Sequence, residues 1–222
     1  MSIMDGKTRR LLSYKGGNDM DVICLDLEGV LIPEMWLGLA EKTGLKELQI
    51  TTREEPDYVK LMHYRMDVLR KNHLTLKDIK EVVASMDPLE GAREFLDELR
   101  KDAQVVILSD TFAEYISPLI EKLGYPMILC NNLVIDDEGY IVDIRMRQED
   151  GKRRAIDGFR SMNCRTFAAG DSYNDLSMIM KADSGCLFRA PENILEEYPD
   201  IPICRTYDEF LKVIRDFISE DK

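Results

Sequence analysis

Histidine is almost missing from this chain: only His63 and His73 occur among 222 residues, so a histidine-rich metal centre or a phosphohistidine relay has little to be built from. Cys-x-x-Cys pairs are missing too. The five cysteines, at positions 24, 130, 164, 186 and 204, are odd in number and several fall inside apolar runs. They read as reduced core residues of a cytoplasmic protein, not as a disulfide framework. No apolar run approaches the roughly 20 residues that span a bilayer, and there is no internal repeat or low-complexity tract. Positive charge is scarce: 30 Lys and Arg against 42 Asp and Glu leave a net charge of -12, which repels nucleic acid and anionic membrane surfaces. The same field repels a small phosphorylated molecule at long range, so a site for one needs its own local cations.

What is present suits a globular chain, with 45% hydrophobic and 32% charged residues and a length that allows one core plus a small insertion. Residues 1–20 carry Lys7, Arg9, Arg10, Lys15 and Gly16-Gly17 and read as a mobile tail. They lack the apolar stretch of about 7 to 15 residues that a secretory signal requires, and Asp5 and Asp19 oppose a transit peptide.

The organising stretch is Val22-Ile23-Cys24-Leu25-Asp26-Leu27-Glu28-Gly29-Val30-Leu31-Ile32, an apolar run that ends on two acids and a glycine. A run without alternation suits a strand covered on both faces, as in a parallel sheet flanked by helices. In such sheets ligands bind outside the carboxyl ends of the strands. Alone, the stretch reads equally well as an acidic turn. Further along, Val105-Val106-Ile107-Leu108-Ser109-Asp110-Thr111 ends on a hydroxyl, Lys152 opens a helical pattern, and Arg165 to Gly170 runs into Asp171-Ser172-Tyr173-Asn174-Asp175.

Residues 34–87 carry three helical patterns and no strand. The first runs from Glu34 to the Thr43-Gly44 stop, the second follows Pro56, and the third starts at Thr75 and ends before Asp87-Pro88. A single crossover needs one helix of about a dozen residues, so this is an insertion. Helices and strands then alternate: helix to Arg100, strand 104–108, helix 112–123, strand 127–130, helix 153–162, strand 165–169, helix 174–182, short strands 185–188 and 203–206, and a closing helix 207–218. A hairpin over 133–142 reads as an edge extension outside the catalytic sheet. The expectation is an α/β doubly wound, Rossmann-like parallel sheet, residues 21–33 and 88–222, with a helical cap at 34–87.

Acid pair, hydroxyl, lysine and acid pair, in that order, resemble the four motifs of the haloacid dehalogenase-like superfamily. The helical insert resembles the cap of its phosphoserine phosphatase branch. The Leu27-Glu28-Gly29-Val30 variant and Ser109-Asp110-Thr111-Phe112 look similar to its bifunctional phosphoserine phosphatase/homoserine phosphotransferase group. This implies Asp26 as nucleophile and Glu28, where the superfamily usually has Asp, as general acid and base. Ser109, the Asp110 and Thr111 amides, Lys152 and Asn174 become phosphate-binding. Mg²⁺ is then held by Asp26, Asp171 and the Glu28 main-chain carbonyl, with Asp175 orienting that shell. The resemblance also implies phosphoserine as substrate, Glu34 on its amino group, Arg65 on its carboxylate, homoserine as a second acceptor, and a homodimer. Other readings stay open from the sequence: a phosphatase for another small metabolite, a receiver-like signalling domain, or an inactive binding module.

Overall fold

The strand β1 (Met20–Leu25) lies in the middle of the sheet, and its side chains alternate although its sequence does not. Ile23 and Leu25 face one apolar cluster, and Val22 and Cys24 face another. With both faces covered, a polar residue at either would be buried, which is why the run is uniformly apolar. The computed structural model describes residues 20–51, 54–55 and 57–220. Most of the tail expected over 1–20 therefore lies outside the described residues. Met20 does not, and it already pairs with Cys164.

Among the described residues one seven-stranded sheet forms from β1, β2 (Gln104–Phe112), β3 (Met127–Ile135), β4 (Ile141–Arg145), β5 (Cys164–Gly170), β6 (Ser184–Phe188) and β7 (Ile203–Cys204), in the order β4-β3-β2-β1-β5-β6-β7. Every pairing is parallel except β3 with β4. The order reverses around β1, so the tips of β1, β2 and β5 adjoin at the switch point where ligands bind in doubly wound sheets.

Between β1 and β2 come α1 (Met35–Thr43), α2 (Tyr58–Lys71), α3 (Leu76–Ala84) and α4 (Ala92–Leu99). Local chemistry sets their ends. Gly44 takes a left-handed conformation that stops α1, Asp57 accepts from the Val59 and Lys60 amides to start α2, and Thr75 with Asp78 forms a capping box on α3. Met35, Trp36, Leu39, Met62, Met66, Ile79 and Val83 join the same apolar cluster as Ile23 and Leu25, so α1 to α3 share a core with one face of the sheet. The hairpin of β3 and β4 grips these helices. His63 Nε2 lies 3.2 Å from Asp143 Oδ1, Arg70 Nη1 donates to Asp136 Oδ2 at 3.2 Å, and the Leu76 amide donates to the Gly139 carbonyl at 2.9 Å.

The remaining helices are α5 (Ala113–Lys122), α6 (Gly151–Ser161), α7 (Leu176–Lys181), α8 (Glu192–Glu197) and α9 (Tyr207–Ser219). α4, α5 and α9 cover the face of Ile23 and Leu25, while α6, α7 and α8 cover that of Val22 and Cys24. No described helix is long and apolar enough to cross a membrane.

Three expectations need correction. The strand expected at 127–130 and the first arm of the hairpin are one strand, β3, which pairs with β2 and then with β4, making β4 an edge of the same sheet. The helix expected from Asn174 starts as a 3-10 turn over Tyr173–Asp175, and α7 begins only at Leu176. The short helix α8 was not foreseen, since Ile194 is its only buried residue and one apolar side chain makes no periodicity.

Candidate active site

Two strand ends, those of β1 and β5, and one helix start meet in a buried charge cluster. Asp26 follows β1, and its amide extends the ladder to the Ala169 carbonyl at 2.9 Å. Lys152, the second residue of α6, donates from Nζ to Asp26 Oδ1 at 2.8 Å and to Asp175 Oδ1 at 2.7 Å. All three side chains are buried. The other oxygen of Asp175 accepts from the amides of Asp171 and Ser172 and from Ser172 Oγ, at 3.0 to 3.1 Å. Asp175 thus spends both oxygens on holding Lys152 and the turn that carries Asp171.

Two glycines make room for this packing. Gly29 has φ +74°, and a Cβ there would lie 2.3 Å from Asp171 Oδ2. A Cβ on Gly170 would lie 2.1 Å from Asp175 Cγ. Each acid occupies the space a side chain would need.

Asp26, Asp171 and Asp175 each offer an oxygen within 4.8 Å of the others. Three carboxylates against one ammonium leave two negative charges in a poorly hydrated pocket. Burial and the Asp175 charge push the Asp26 carboxyl well above the usual carboxylate range, against the pull of Lys152. Burial, then Asp175 and Glu34, raise Asp171 to about 7. For Lys152 burial works against the charge, but Asp175 and Asp26 outweigh it and hold the ammonium above its ordinary value. The all-oxygen donor set and its excess negative charge fit a hard divalent cation. Because both Asp175 oxygens are engaged, Asp26 and Asp171 are the side chains left to hold one.

Ser109, Asp110 and Thr111 lie in a bulge of β2, where the register against β3 shifts between Leu108 and Phe112. The strand expected to end at 108 instead runs through this bulge to Phe112, and α5 begins at Ala113. In the bulge the Thr111 amide donates to Ser109 Oγ at 3.2 Å, and Thr111 Oγ1 donates to the Tyr115 hydroxyl at 3.3 Å. Asn174 reaches Asp110 Oδ2 at 3.4 Å, a marginal contact across the site entrance. A cavity of about 40 Å³ beside this segment is lined by Ser109, Asp110, Asn131, Arg147, Gly151 and Lys152.

Glu28 is half-buried, with Oε2 accepting from the Met35 amide at 2.9 Å. Burial and the Glu34 charge raise its carboxyl to about 7, although the Met35 bond pulls the other way. Glu34 is exposed at the start of α1. Arg65 on α2 is buried, and among the described residues no carboxylate pairs with it. Its Nη2 donates to the Ile50 carbonyl at 2.7 Å, its guanidinium lies 4.5 Å over the Trp36 ring, and its Nε is buried with no hydrogen-bond partner among the described residues. A buried guanidinium with an unmet donor is costly to maintain unless something else completes it.

The model for haloacid dehalogenase-like hydrolases matches residues 29–180. The chain belongs to that family. Among curated relatives of this hydrolase, phosphoserine phosphatase ThrH of Pseudomonas aeruginosa is 51% identical over 197 residues, spanning 87% of this chain and 96% of that protein. A phosphoserine phosphatase of Pseudomonas syringae pv. tomato is 48% identical over 202 residues, spanning 91% and 85%. Among solved structures, an apo-form phosphoserine phosphatase superposes with a TM-score of 0.70 at 25% identity, over 87% of this chain and 98% of that one. A structure described as a phospho-aspartyl intermediate analogue of phosphoserine phosphatase gives 0.72 at 24% identity, over 88% and 99%.

In this haloacid dehalogenase-like hydrolase the cysteines lie outside the charge cluster. All five are free and buried, and burial pushes the Cys24 thiol up to about 12, out of range as a nucleophile. His63 and His73 are exposed. Sequence reasoning missed Tyr58, Tyr115 and Asn131, which surround the Ser109 to Thr111 bulge. Only the spacing of Tyr58, seven residues and so two turns before Arg65 on α2, could have hinted at one of them.

Proposed function

We propose that this hydrolase is a Mg²⁺-dependent phosphoserine phosphatase that works through an aspartyl phosphate on Asp26 and also passes the phosphoryl group to homoserine. The observation that carries the reading is the buried Asp26–Lys152–Asp175 cluster together with Arg65, a buried guanidinium that pairs with no carboxylate among the described residues and has an unmet Nε. Phosphoserine supplies what each lacks: a phosphoryl group for the first and a carboxylate for the second. The relatives named phosphoserine phosphatase support the same substrate.

Lys152 holds Asp26 by Oδ1, leaving Oδ2 to attack phosphorus. The serine oxygen leaves with a proton from Glu28, whose carboxyl near 7 is suited to give one proton and accept the next. Water or homoserine then loses its proton to Glu28 as its oxygen bonds phosphorus, and the acyl phosphate bond to Asp26 breaks. Ser109, the Asp110 and Thr111 amides, Asn174 and Lys152 receive the phosphoryl oxygens, while Glu34 and Arg65 hold the amino and carboxylate groups of either amino acid. Mg²⁺, held by Asp26, Asp171 and the Glu28 main-chain oxygen, would offset the charge between carboxylate and phosphoryl group. Residues 34–87 act as a cap on a core of residues 21–33 and 88–222.

Phosphorus NMR of the protein with phosphoserine, Mg²⁺ and homoserine tests the reading. Inorganic phosphate and phosphohomoserine are expected, and neither with Mg²⁺ omitted. Turnover of an aryl phosphate but not of phosphoserine would refute the substrate; phosphate without phosphohomoserine would refute the transfer.

A further inference from the structure

Helix α2 opens on Tyr58, whose hydroxyl donates to the main-chain oxygen of Asp110 at 3.2 Å across 52 residues of sequence. A half-buried tyrosine at a helix start is commonly just wall. Here the acceptor matters. The Asp110 carbonyl belongs to the same planar peptide unit as the Thr111 amide, so fixing one fixes the direction of the other. That peptide lies in the β2 bulge, where the ladder to β3 is interrupted, and side chains hold it in the ladder's place. Asn131 Nδ2 donates to the same Asp110 oxygen at 3.3 Å. Asn131 is on β3, part of the sheet, whereas Tyr58 is on the helix that carries Arg65 two turns further along, about 10 Å away. Burial, followed by the charges of Asp110 and Glu28, pushes the Tyr58 phenol up, so it stays a donor at neutral pH.

We infer that Tyr58 is a positioning residue that ties the orientation of the Asp110–Thr111 peptide, and with it the grip on a phosphoryl group, to the seating of α2 over the site. One helix then senses both ends of a substrate: Arg65 meets a carboxylate directly, and Tyr58 sets the peptide that meets the phosphoryl oxygens. With α2 displaced, Asn131 is the side chain left holding the Asp110 oxygen, and the peptide that carries the Thr111 amide loses one of its two anchors. This rests on Ser109 to Thr111 being the phosphoryl-binding segment, not on which molecule carries the phosphate.

The test is Tyr58→Phe, which keeps the ring and removes the bond. In the presence of Mg²⁺, binding of inorganic phosphate and of L-serine is measured separately by calorimetry, with thermal unfolding as a check on the fold. Phosphate reads the phosphoryl end of the site without the Arg65 end, and serine reads the Arg65 end without a phosphoryl group. The dissociation constant for phosphate is expected to rise about three- to tenfold, the worth of one neutral hydrogen bond, with serine binding unchanged. Unchanged phosphate binding overturns the inference, and so does an equal weakening for both ligands, which would mean that Tyr58 only seats the helix. If the wild type prefers another phosphomonoester, its dephosphorylated product replaces serine and the phosphate measurement stands as it is.

Discussion

A single methyl group added at Gly29 would strike the proposed cation site without removing any of its charges. Built on the existing backbone, the new Cβ of Gly29→Ala would lie 2.3 Å from Asp171 Oδ2, 2.5 Å from Cγ and 2.9 Å from Oδ1. That is roughly 1 Å inside van der Waals contact, so the carboxylate must move by about that much. Mg²⁺ demands near-octahedral bonds of about 2.0 to 2.1 Å, so a shift of half a bond length removes Asp171 as a ligand and should weaken Mg²⁺ by at least about tenfold. Misplacement on this scale costs turnover roughly 100-fold. The backbone adds a separate penalty, since φ +74° costs an L-residue about 1 to 2 kcal/mol. For a chain of this size that lowers the melting temperature by roughly 2 to 8 °C. Gly44→Ala is the control, because Gly44 has φ +76° and nothing within 4 Å of its would-be Cβ. Both variants should melt earlier by similar amounts, while only Gly29→Ala loses Mg²⁺ affinity by calorimetry and turnover of an aryl phosphate at saturating Mg²⁺. If its affinity and turnover stay within about threefold of those of Gly44→Ala, the close approach of Asp171 to Gly29 is not what builds the site.

Asp26→Asn keeps the shape of the side chain and removes the attacking charge; turnover should fall below about a hundredth of wild type with the melting curve retained, and more residual activity would refute the nucleophile. Arg65→Ala should reduce kcat/KM for phosphoserine by roughly 30- to 5,000-fold, the cost of a lost buried charge pair, and leave an aryl phosphate nearly untouched; equal losses for both would assign Arg65 to the fold. Glu28→Asp shortens the reach to an acceptor hydroxyl, so the ratio of phosphohomoserine to inorganic phosphate should drop while hydrolysis persists, and an unchanged ratio would rule out this account of transfer. Because the Asp171 carboxyl lies near 7 and a cation must displace its proton, Mg²⁺ affinity should rise with pH up to and through that value, by up to about tenfold per unit below it, and level off above; a flat profile from about pH 5.5 to 8 would contradict it.

The sheet was legible in the sequence because buried parallel strands must be apolar on both faces, and Val22 to Leu25 and Val105 to Leu108 have no other reading once helices are found between them. The meeting of Asp26, Lys152 and Asp171 followed from motif order. What order could not give was contact. Lys152 sits between two carboxylates, one of them 126 residues away, and nothing local to Gly151-Lys152 distinguishes that from a solvated helix start. β2 was expected to stop at 108, but the bulge that carries it through Ser109 to Phe112 is set by pairing with β3, which short-range pattern does not record. The unmet Nε of Arg65 is likewise a property of burial among distant neighbours.

Among the described residues, the first strand in sequence is the central strand of the sheet, and this has a bearing on synthesis. Val22 of β1 waits for Gln104 on one side, and Met20 waits for Cys164 on the other. At about 5 to 20 residues per second, β1 keeps a bare edge on the order of ten seconds after it is made, and pairings so distant in sequence are slow to close. The acids mature on the same schedule, since Asp26 lacks Lys152 until the chain has passed residue 152 and its fellow carboxylates until it has passed residue 175. Chains truncated before β5 would therefore lose solubility and phosphoryl chemistry together, because the loss of β5 leaves both the open edge of β1 and the half-built cluster.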